Sequence, residues 1–330
     1  HYVSIRIFFD REKSNNLIRK KFFSVYPTLL SSLTEANYTI LPSKEGTPVL
    51  FKLDNTIPSE TELILFSANV DTISFTLYTQ QNRQNGDVLK LNDINSVRKS
   101  LWNANKQTVV VIHGWNNNGQ SKSCTLIRDA FLKVRDCNVI IVDWGEIANH
   151  KDYIAVAKNV PRVASHVASF VNFLRTSAGL RTSNLKIIGH SLGAHVAGLS
   201  AREVGQSSRV AEVIALDPAK PLFQHKGAGG RVDKSDAQNV QAIHTCAGYL
   251  GMDISIGTSD FFANDGRHQP GCGDDLLGSC AHERSYEYFS QSITNPKEFH
   301  GVADNGATAY MGGANLDPNA RGTYHFQTSS

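Results

Sequence analysis

The chain has 330 residues, of which 41% are apolar and 19% charged, a composition typical of folded globular proteins and not of disordered or collagen-like chains. Its 33 basic and 30 acidic residues leave a net charge of +3 without a basic stripe, so we expect no nucleic-acid partner. No apolar run approaches the roughly 18 residues that a membrane span needs, and the length favours one large domain or two ordinary ones.

Residues 1–70 contain a basic cluster at residues 19–21 and scattered prolines, with little hydrophobic periodicity. We therefore predict a loosely organised N-terminal lead-in, or an extension that resembles a pro-segment. Asn37 opens an Asn-Tyr-Thr triplet within it, and this pattern is the acceptor for N-linked glycosylation in secreted proteins.

After residue 70, strand-like apolar runs alternate with helical patterns. The clearest helix has apolar side chains three and four positions apart from Val160 to Leu174, with Pro161 near its start and Gly179 after its end. This alternation predicts an α/β protein whose central sheet is mostly parallel and has helices on both faces. The predicted strands are residues 108–112, 139–142, 185–188 and 213–216, and the other predicted helices are residues 124–134 and 191–204.

A Gly-x-Ser-x-Gly pattern, residues 189–193 (GHSLG), lies between a predicted strand and a predicted helix. Glycines at both ends relieve crowding in a sharp strand-to-helix turn and leave the hydroxyl of Ser191 above the sheet, where it can act as a nucleophile. The alternative is an ordinary glycine-rich turn. The pattern in this context favours a catalytic serine.

A serine nucleophile needs a base, and the base needs a carboxylate to orient it. Asp217 ends the next predicted strand and fits the chain order serine, acid, histidine, although a turn aspartate before Pro218 is the alternative. Spacing does not choose among the histidines that follow, which are His225, His244, His268, His282, His300 and His325.

Another predicted strand leads into His113, Gly114 and Trp115. A turn at Gly114 would present a backbone amide to the same sheet edge, and together with the amide of Leu192 it would form an oxyanion hole. A simple glycine turn is the alternative.

The five cysteines lack the spacing of a zinc site and form two close pairs with one left over. Two local disulfides and one free thiol fit this spacing best, which favours secretion, and five reduced thiols are the alternative. The cysteines are Cys124, Cys137, Cys246, Cys272 and Cys280.

Several motifs occur together and in a fixed order: VIHGW (111–115), VDW (142–144), IGHSLGAHVAG (188–198), LDPAKP (216–221), IHT (243–245) and CAHERSY (280–286). From about Phe75 to about Phe326 the chain resembles the pancreatic-lipase-like family, a branch of the α/β-hydrolases. The resemblance implies an α/β-hydrolase lipase domain over residues 71–330, and no family motif covers the first seventy or so residues.

The resemblance also implies a role for each matching residue. It makes Ser191 the nucleophile, Asp217 the acid and His282 the general base, with Trp115 and Leu192 giving the oxyanion amides. It implies disulfides from Cys124 to Cys137 and from Cys272 to Cys280, the second flanking the lid, and it offers Cys246 no partner.

The chain departs from typical pancreatic lipases in its surface loops. The segment between the last two cysteines is too short to cover a lipid groove, and the surface loop after Cys246 is also short. This pair of truncations resembles venom-type phospholipases A1 and insect digestive lipases. We expect no C-terminal lipid-binding β-sandwich and no colipase-type partner. The lid residues are Gly273, Asp274, Asp275, Leu276, Leu277, Gly278 and Ser279.

Asp233 and Asp236 fall where some family members hold a calcium ion, with the backbone carbonyls of Ala228 and Arg231 as further donors. We favour two solvated loop aspartates there, no metal site, and a reaction that requires no cofactor.

These observations predict a secreted serine carboxylic-ester hydrolase that cleaves lipid acyl esters at a membrane or micelle surface through an acyl-enzyme. Phospholipase A1 activity is the first hypothesis, and a neutral triacylglycerol or diacylglycerol lipase is the second. A non-catalytic yolk or storage protein on the same fold is the third, although the complete triad argues against it. Head-group preference and oligomeric state stay open.

Overall fold

A computed structural model describes residues 37–53, 64, 70–206 and 208–329. Parallel strands form the centre of its main sheet. The strands are β1 (Tyr38–Pro42), β2 (Pro48–Lys52), β3 (Ser74–Tyr78), β4 (Asp87–Leu89), β5 (Thr108–Ile112), β6 (Asn138–Asp143), β7 (Leu185–His190), β8 (Glu212–Leu216), β9 (Asn239–His244), β10 (Ser259–Ala263), β11 (His300–Val302), β12 (Thr308–Tyr310) and β13 (Gly322–Phe326). The α-helices are α1 (Ile94–Arg98), α2 (Lys122–Val134), α3 (Gly145–Ala148), α4 (Tyr153–Ser177), α5 (Leu192–Val204) and α6 (Ser279–Thr294).

The main sheet has 11 strands in the order β12-β11-β13-β10-β9-β8-β7-β5-β6-β3-β4. Its middle, from β13 to β6, is parallel, and the strands at both edges are antiparallel. In the registers of the neighbouring strands, Ile112 pairs with Gly189, His190 with Leu216, and Leu216 with Ile243. The carboxyl ends of four strands therefore meet at one edge, where α/β sheets place their functional groups.

Side chains that alternate along the parallel strands build a core on each face of the sheet. On β5, Val110 and Ile112 join one cluster with the buried faces of α4 and α5. Val109 and Val111 join the other cluster with α2 and α6. Strands that are covered on both faces consist almost entirely of apolar residues. The sequences of these central strands are such apolar runs. The predicted parallel sheet with helices on both faces is confirmed.

Helix α4 begins earlier than its apolar pattern predicted. The side chain of Asp152 caps it by accepting hydrogen bonds from the amides of Ile154 and Ala155, and the residues from Tyr153 to Ala157 are buried. Pro161 therefore lies inside the helix and not near its start. No helix among the described residues has the length and apolar content that crossing a bilayer requires.

Strands β1 and β2 form an antiparallel hairpin inside the segment that the sequence predicted to be loosely organised. Leu41 and Phe51 are buried and join the core cluster of α4 and α5. At the turn, Ser43 Oγ lies 2.8 Å from Thr47 Oγ1 and accepts a hydrogen bond from the Thr47 amide. Part of the N-terminal segment is therefore ordered and packs onto the hydrolase domain, whereas residues 1–36 lie outside the described residues.

Candidate active site

Ser191 occupies a strained turn between β7 and α5. Its φ of 58° and ψ of −122° are a combination that L-residues rarely adopt. The turn is so tight that a Cβ on Gly189 would strike the carbonyl of Gly193, and a Cβ on Gly193 would strike the carbonyls of the β5 end. Only glycine fits at residues 189 and 193. The close packing around these two glycines holds Ser191 in its strained conformation.

Asp217 and His282 are joined at the same edge of the sheet. His282 Nδ1 lies 2.5 Å from Asp217 Oδ2. The carboxylate is fully buried, and its Oδ1 accepts hydrogen bonds of 2.9 and 3.1 Å from the amides of Thr245 and Cys246. Three donors thus fix the aspartate, and the aspartate fixes the tautomer and orientation of the imidazole. Among the six histidines left open by spacing, the structure brings His282 to Asp217.

His190, within the Gly-x-Ser-x-Gly turn, contacts His282. Its Nε2 lies 3.2 Å from the backbone oxygen of His282, and the two ring centroids are 4.4 Å apart. Burial, followed by the proximity of His282, lowers the pKa of His190 well below its usual value. His190 is therefore neutral near pH 7 and adds no positive charge beside His282.

The two predicted oxyanion amides flank Ser191. Leu192 is the first residue of α5, and the first amides of a helix have no acceptor within it. On the other side, a Cβ built on Gly114 would lie 2.8 Å from the Cβ of Ser191, so the backbone that leads to Trp115 passes directly beside the nucleophile. The indole of Trp115 donates to the carbonyl of His150 at 2.8 Å, which anchors this turn.

A buried network of hydrogen bonds and stacked rings supports the turn that contains Trp115. Trp144 Nε1 donates to the His113 carbonyl at 2.8 Å, and the two rings stack with centroids 5.7 Å apart. His113 Nε2 lies 3.1 Å from Asp143 Oδ1. Burial would raise the pKa of Asp143, but hydrogen bonds to His113 and to two backbone amides outweigh it and lower the pKa to about 2. This carboxylate therefore stays charged and keeps the network in place.

Ser191 and His282 line one cavity of about 270 Å³. In the described residues their side chains make no hydrogen bond to each other, a contact that such sites often complete only when substrate binds. The hairpin forms one wall of this cleft. The wall and floor residues are Leu41, Pro42, Ser43, Lys44, Gly46, Trp115, Asn116, Asn117, Tyr153, His190, Ala219, Pro221, Leu250, Ser279 and Glu283.

The predicted lid lies beside the cleft. Of its residues, Ser279 lines the cleft, whereas others line a separate cavity of about 140 Å³ near Tyr249. Asp275 Oδ2 accepts a hydrogen bond of 2.7 Å from the amide of Ala281, so the lid is tied to the first turn of α6. Leu276, one of its two apolar side chains, faces the second cavity and leaves the catalytic one uncovered.

One of the two implied disulfides forms. Cys272 and Cys280 are bonded, with Cα atoms 5.6 Å apart. Cys124 and Cys137 are buried free thiols, so their predicted pairing is wrong. Cys124 lies in the first turn of α2 and Cys137 follows the end of that helix, so about 15 Å of helix lies between them in the chain, whereas a bridge tolerates Cα atoms only about 7 Å apart. Burial raises the pKa of both thiols to about 12.

Cys246 is the free thiol that the sequence predicted, and it is also buried. Burial raises its pKa well above the usual value. Its sulfur packs against Gly278, at the start of the helix that carries His282, so closely that a Cβ there would collide with it. Its backbone amide binds Asp217, a role that spacing alone did not reveal.

The sequence analysis favoured two solvated aspartates at Asp233 and Asp236, but the structure places only one of them in contact with solvent. Asp236 is buried, and burial raises its pKa to about 6. Its Oδ2 accepts a 2.8 Å hydrogen bond from the Asp233 amide, while a half-exposed Arg202 stands 3.4 Å away. Asp236 is therefore held by a backbone amide and by the Arg202 guanidinium. The absence of a metal here stays a prediction.

The parallel sheet and the strained serine turn at its carboxyl edge place this chain among the α/β-hydrolases. Within that class it belongs to the Lipase family, whose sequence model matches residues 55–324. The family resemblance noted from the motifs is confirmed.

Curated relatives support the same assignment. The chain is 36% identical to pancreatic lipase-related protein 2 of Cavia porcellus, over 69% of this chain and 52% of that protein. It is 35% identical to pancreatic triacylglycerol lipase of Sus scrofa, over 71% and 56%, and 34% identical to that of Homo sapiens, over 69% and 53%. The matched region thus spans about half the length of these relatives.

Sequence reasoning missed the hairpin wall. Residues 38–52 contain two apolar runs separated by a turn with Gly46, which is a hairpin signal, but the prolines at the turn obscured it. It also missed the support that His190 gives to His282, for which only proximity in space is a signal.

Proposed function

We propose that this chain hydrolyses acyl esters of lipids, with Ser191 as nucleophile, His282 as general base and Asp217 as the orienting acid. The observation that carries the proposal is the 2.5 Å contact between His282 and a buried, fully hydrogen-bonded Asp217, in the cleft that Ser191 also lines. A structural role alone would not require a strained serine at that place.

The reaction follows from this arrangement. Ser191 Oγ attacks the ester carbonyl while His282 takes its proton, and the amides of Trp115 and Leu192 donate to the oxyanion. His282 then gives the proton to the leaving alcohol, which departs and leaves the acyl group on Ser191. Water, deprotonated by His282, attacks this acyl-enzyme and releases the fatty acid. The chemistry uses protein groups alone, and we propose no catalytic cofactor.

Phospholipase A1 activity is our first proposal for the substrate. The short segment between Cys272 and Cys280 and the open cleft beside it support it, because a bilayer lipid can reach the serine without a long lid moving. Hydrolysis of triacylglycerol or diacylglycerol is the second candidate, and the relatives that are named triacylglycerol lipases favour it. A non-catalytic storage role is the third, and the intact Asp217–His282 pair argues against it.

The test is product analysis on a phosphatidylcholine with different acyl chains at sn-1 and sn-2, run beside a triacylglycerol of the same acyl composition. Release of the sn-1 chain supports phospholipase A1 activity. Release from the triacylglycerol alone supports the second candidate. No product from either substrate would overturn the esterase proposal and favour the storage role.

We propose that the protein is extracellular and that Asn37 carries a glycan. The Cys272–Cys280 bridge and the exposed position of Asn37 just before β1 support this, while the three free thiols weaken the argument from cysteine count. Mass spectrometry of the protein from a secreting eukaryotic cell, before and after endoglycosidase treatment, tests it. An unmodified Asn37, or retention inside the cell, would count against it.

A further inference from the structure

The hairpin brings a charged turn to the rim of the catalytic cleft. Lys44 lies at the turn between β1 and β2, is exposed, and lines the cavity that contains Ser191 and His282. The turn is held by its own hydrogen bonds, in which Ser43 Oγ contacts Thr47 and donates to Glu45 at 2.9 Å. These hydrogen bonds fix the backbone of the turn on which Lys44 stands.

The same cleft also carries a negative charge. Glu283 follows His282 in the first turns of α6 and is exposed to the same cavity. Apart from the histidines and the buried phenol of Tyr153, Lys44 and Glu283 are the ionisable side chains among the described residues that line the cleft. Neither forms a salt bridge within the described part of the chain, and both side chains are exposed, although Glu283 also hydrogen-bonds with Tyr286.

One positive and one negative charge in the lining of one cleft match a zwitterion. A glycerophospholipid such as phosphatidylcholine has an anionic phosphate and a cationic amine beyond the ester that is cleaved, whereas a neutral glyceride has neither. Coulomb attraction at an exposed rim is modest in water, but it acts on one class of substrate and not on the other.

We propose that Lys44 and Glu283 form the head-group subsite of this cleft, in which Lys44 binds the lipid phosphate and Glu283 faces the amine. This inference rests on the proposed ester hydrolysis and deepens it, because it assigns phospholipid preference to the N-terminal hairpin and to α6 instead of the short lid alone.

The experiment compares two soluble short-chain substrates with identical acyl groups, dihexanoyl phosphatidylcholine and dihexanoylglycerol, both below their aggregation concentrations. Monomeric substrates remove any effect of Lys44 on binding to a charged lipid surface. The measured quantity is the ratio of kcat/KM for phosphatidylcholine to kcat/KM for the diacylglycerol. The variants are Lys44→Ala, Lys44→Glu and Glu283→Gln. Lys52→Ala is the matched control, since Lys52 is exposed on the same hairpin and does not line the cleft.

We expect Lys44→Ala to lower the ratio about two- to fivefold, the range that single exposed ion pairs contribute. Lys44→Glu should lower it further, because it replaces attraction with repulsion. Glu283→Gln should also lower this ratio. The same variant should not lower the corresponding ratio measured with a third substrate, dihexanoyl phosphatidylglycerol, whose head group lacks the amine. Lys52→Ala should leave it at the wild-type value.

An unchanged ratio in the Lys44 variants would overturn the proposal, and so would an equal loss on both substrates, which would indicate a structural role for the turn. Failure of the proposed function looks different: the wild-type protein would cleave neither substrate. The two outcomes are thus separable in one assay.

Discussion

Phe51 packs edge-on against Trp115, with ring centroids 6.0 Å apart and ring planes at 83°. Both rings also contact Tyr153 on α4, whose hydroxyl donates to the carbonyl of Pro221 at 3.1 Å. The N-terminal hairpin therefore touches the residue whose amide we assign to the oxyanion hole. We therefore propose that the hairpin helps to position this amide as well as forming a wall of the cleft.

Phe51→Ala should lower the stability of the protein by about 3 kcal/mol, as expected for deleting a buried phenyl ring. It should also lower kcat on a soluble ester by roughly tenfold, because Trp115 loses one of the rings that hold its backbone. Phe51→Leu, which keeps most of the volume, should recover most of the stability. The measurements are thermal unfolding and steady-state kinetics. A wild-type kcat in folded Phe51→Ala would show that Trp115 is positioned without the hairpin.

Ser191→Ala should reduce ester hydrolysis on the order of 10⁶-fold in kcat, since triad members act as a unit. Circular dichroism should show an unchanged fold. Ser177→Ala, at an exposed serine at the end of α4, is the matched control and should be fully active. If Ser191→Ala hydrolyses the ester within tenfold of the wild-type rate, another nucleophile operates.

The protein should hydrolyse a monomeric short-chain ester and show only a gentle rise in rate when that substrate aggregates. A long lid produces a sharp rise because it must open at a lipid surface, but here the lid residues lie beside the cleft. The measurement is velocity against substrate concentration across the critical micelle concentration. Near-zero activity on monomers followed by a jump would indicate that the hairpin closes over the cleft in solution.

Stability should fall as the pH drops below about 6.5. Burial lowers the pKa of His195 to about 3 and that of His190 well below its usual value, whereas both take up protons near pH 6.5 in the unfolded chain. The unfolded state then binds more protons, so the stability present above pH 6.5 is lost towards pH 3, at up to about 1.4 kcal/mol per pH unit for each histidine.

Urea unfolding from pH 7 to pH 4 measures this slope. His195→Gln should be less stable at pH 7, because it disturbs the hydrogen bonds to Ala219 and Val232, but its stability should depend less on pH. A His195→Gln slope equal to that of the wild type would assign the acid sensitivity to other groups.

Thiol titration should find no reactive group in the native protein and three in the denatured, unreduced protein. Cys124, Cys137 and Cys246 are buried, and burial raises the pKa of each, so their thiols are protonated and shielded until the chain unfolds. A single thiol after denaturation would mean that Cys124 and Cys137 pair after all, with α2 partly unwound.

The sequence predicted the parts of the protein that depend on local patterns. The strand before Ser191 and the helix after it follow from apolar periodicity, and the strand register then brings Asp217 to the same edge. Contacts between distant segments have no such pattern. The Phe51–Trp115 contact, the unpaired state of Cys124 and Cys137 and the burial of Asp236 depend on how whole elements pack, which no short stretch of sequence encodes.

The cleft is lined by segments far apart in the chain, since Leu41 and Glu283 both line it. During synthesis the hairpin emerges before the main sheet on which it packs, and the serine turn emerges before His282. Catalysis must then wait until α6 has been made and has packed beside β8. On the proposed mechanism, the growing chain is therefore inactive towards lipid esters until that point.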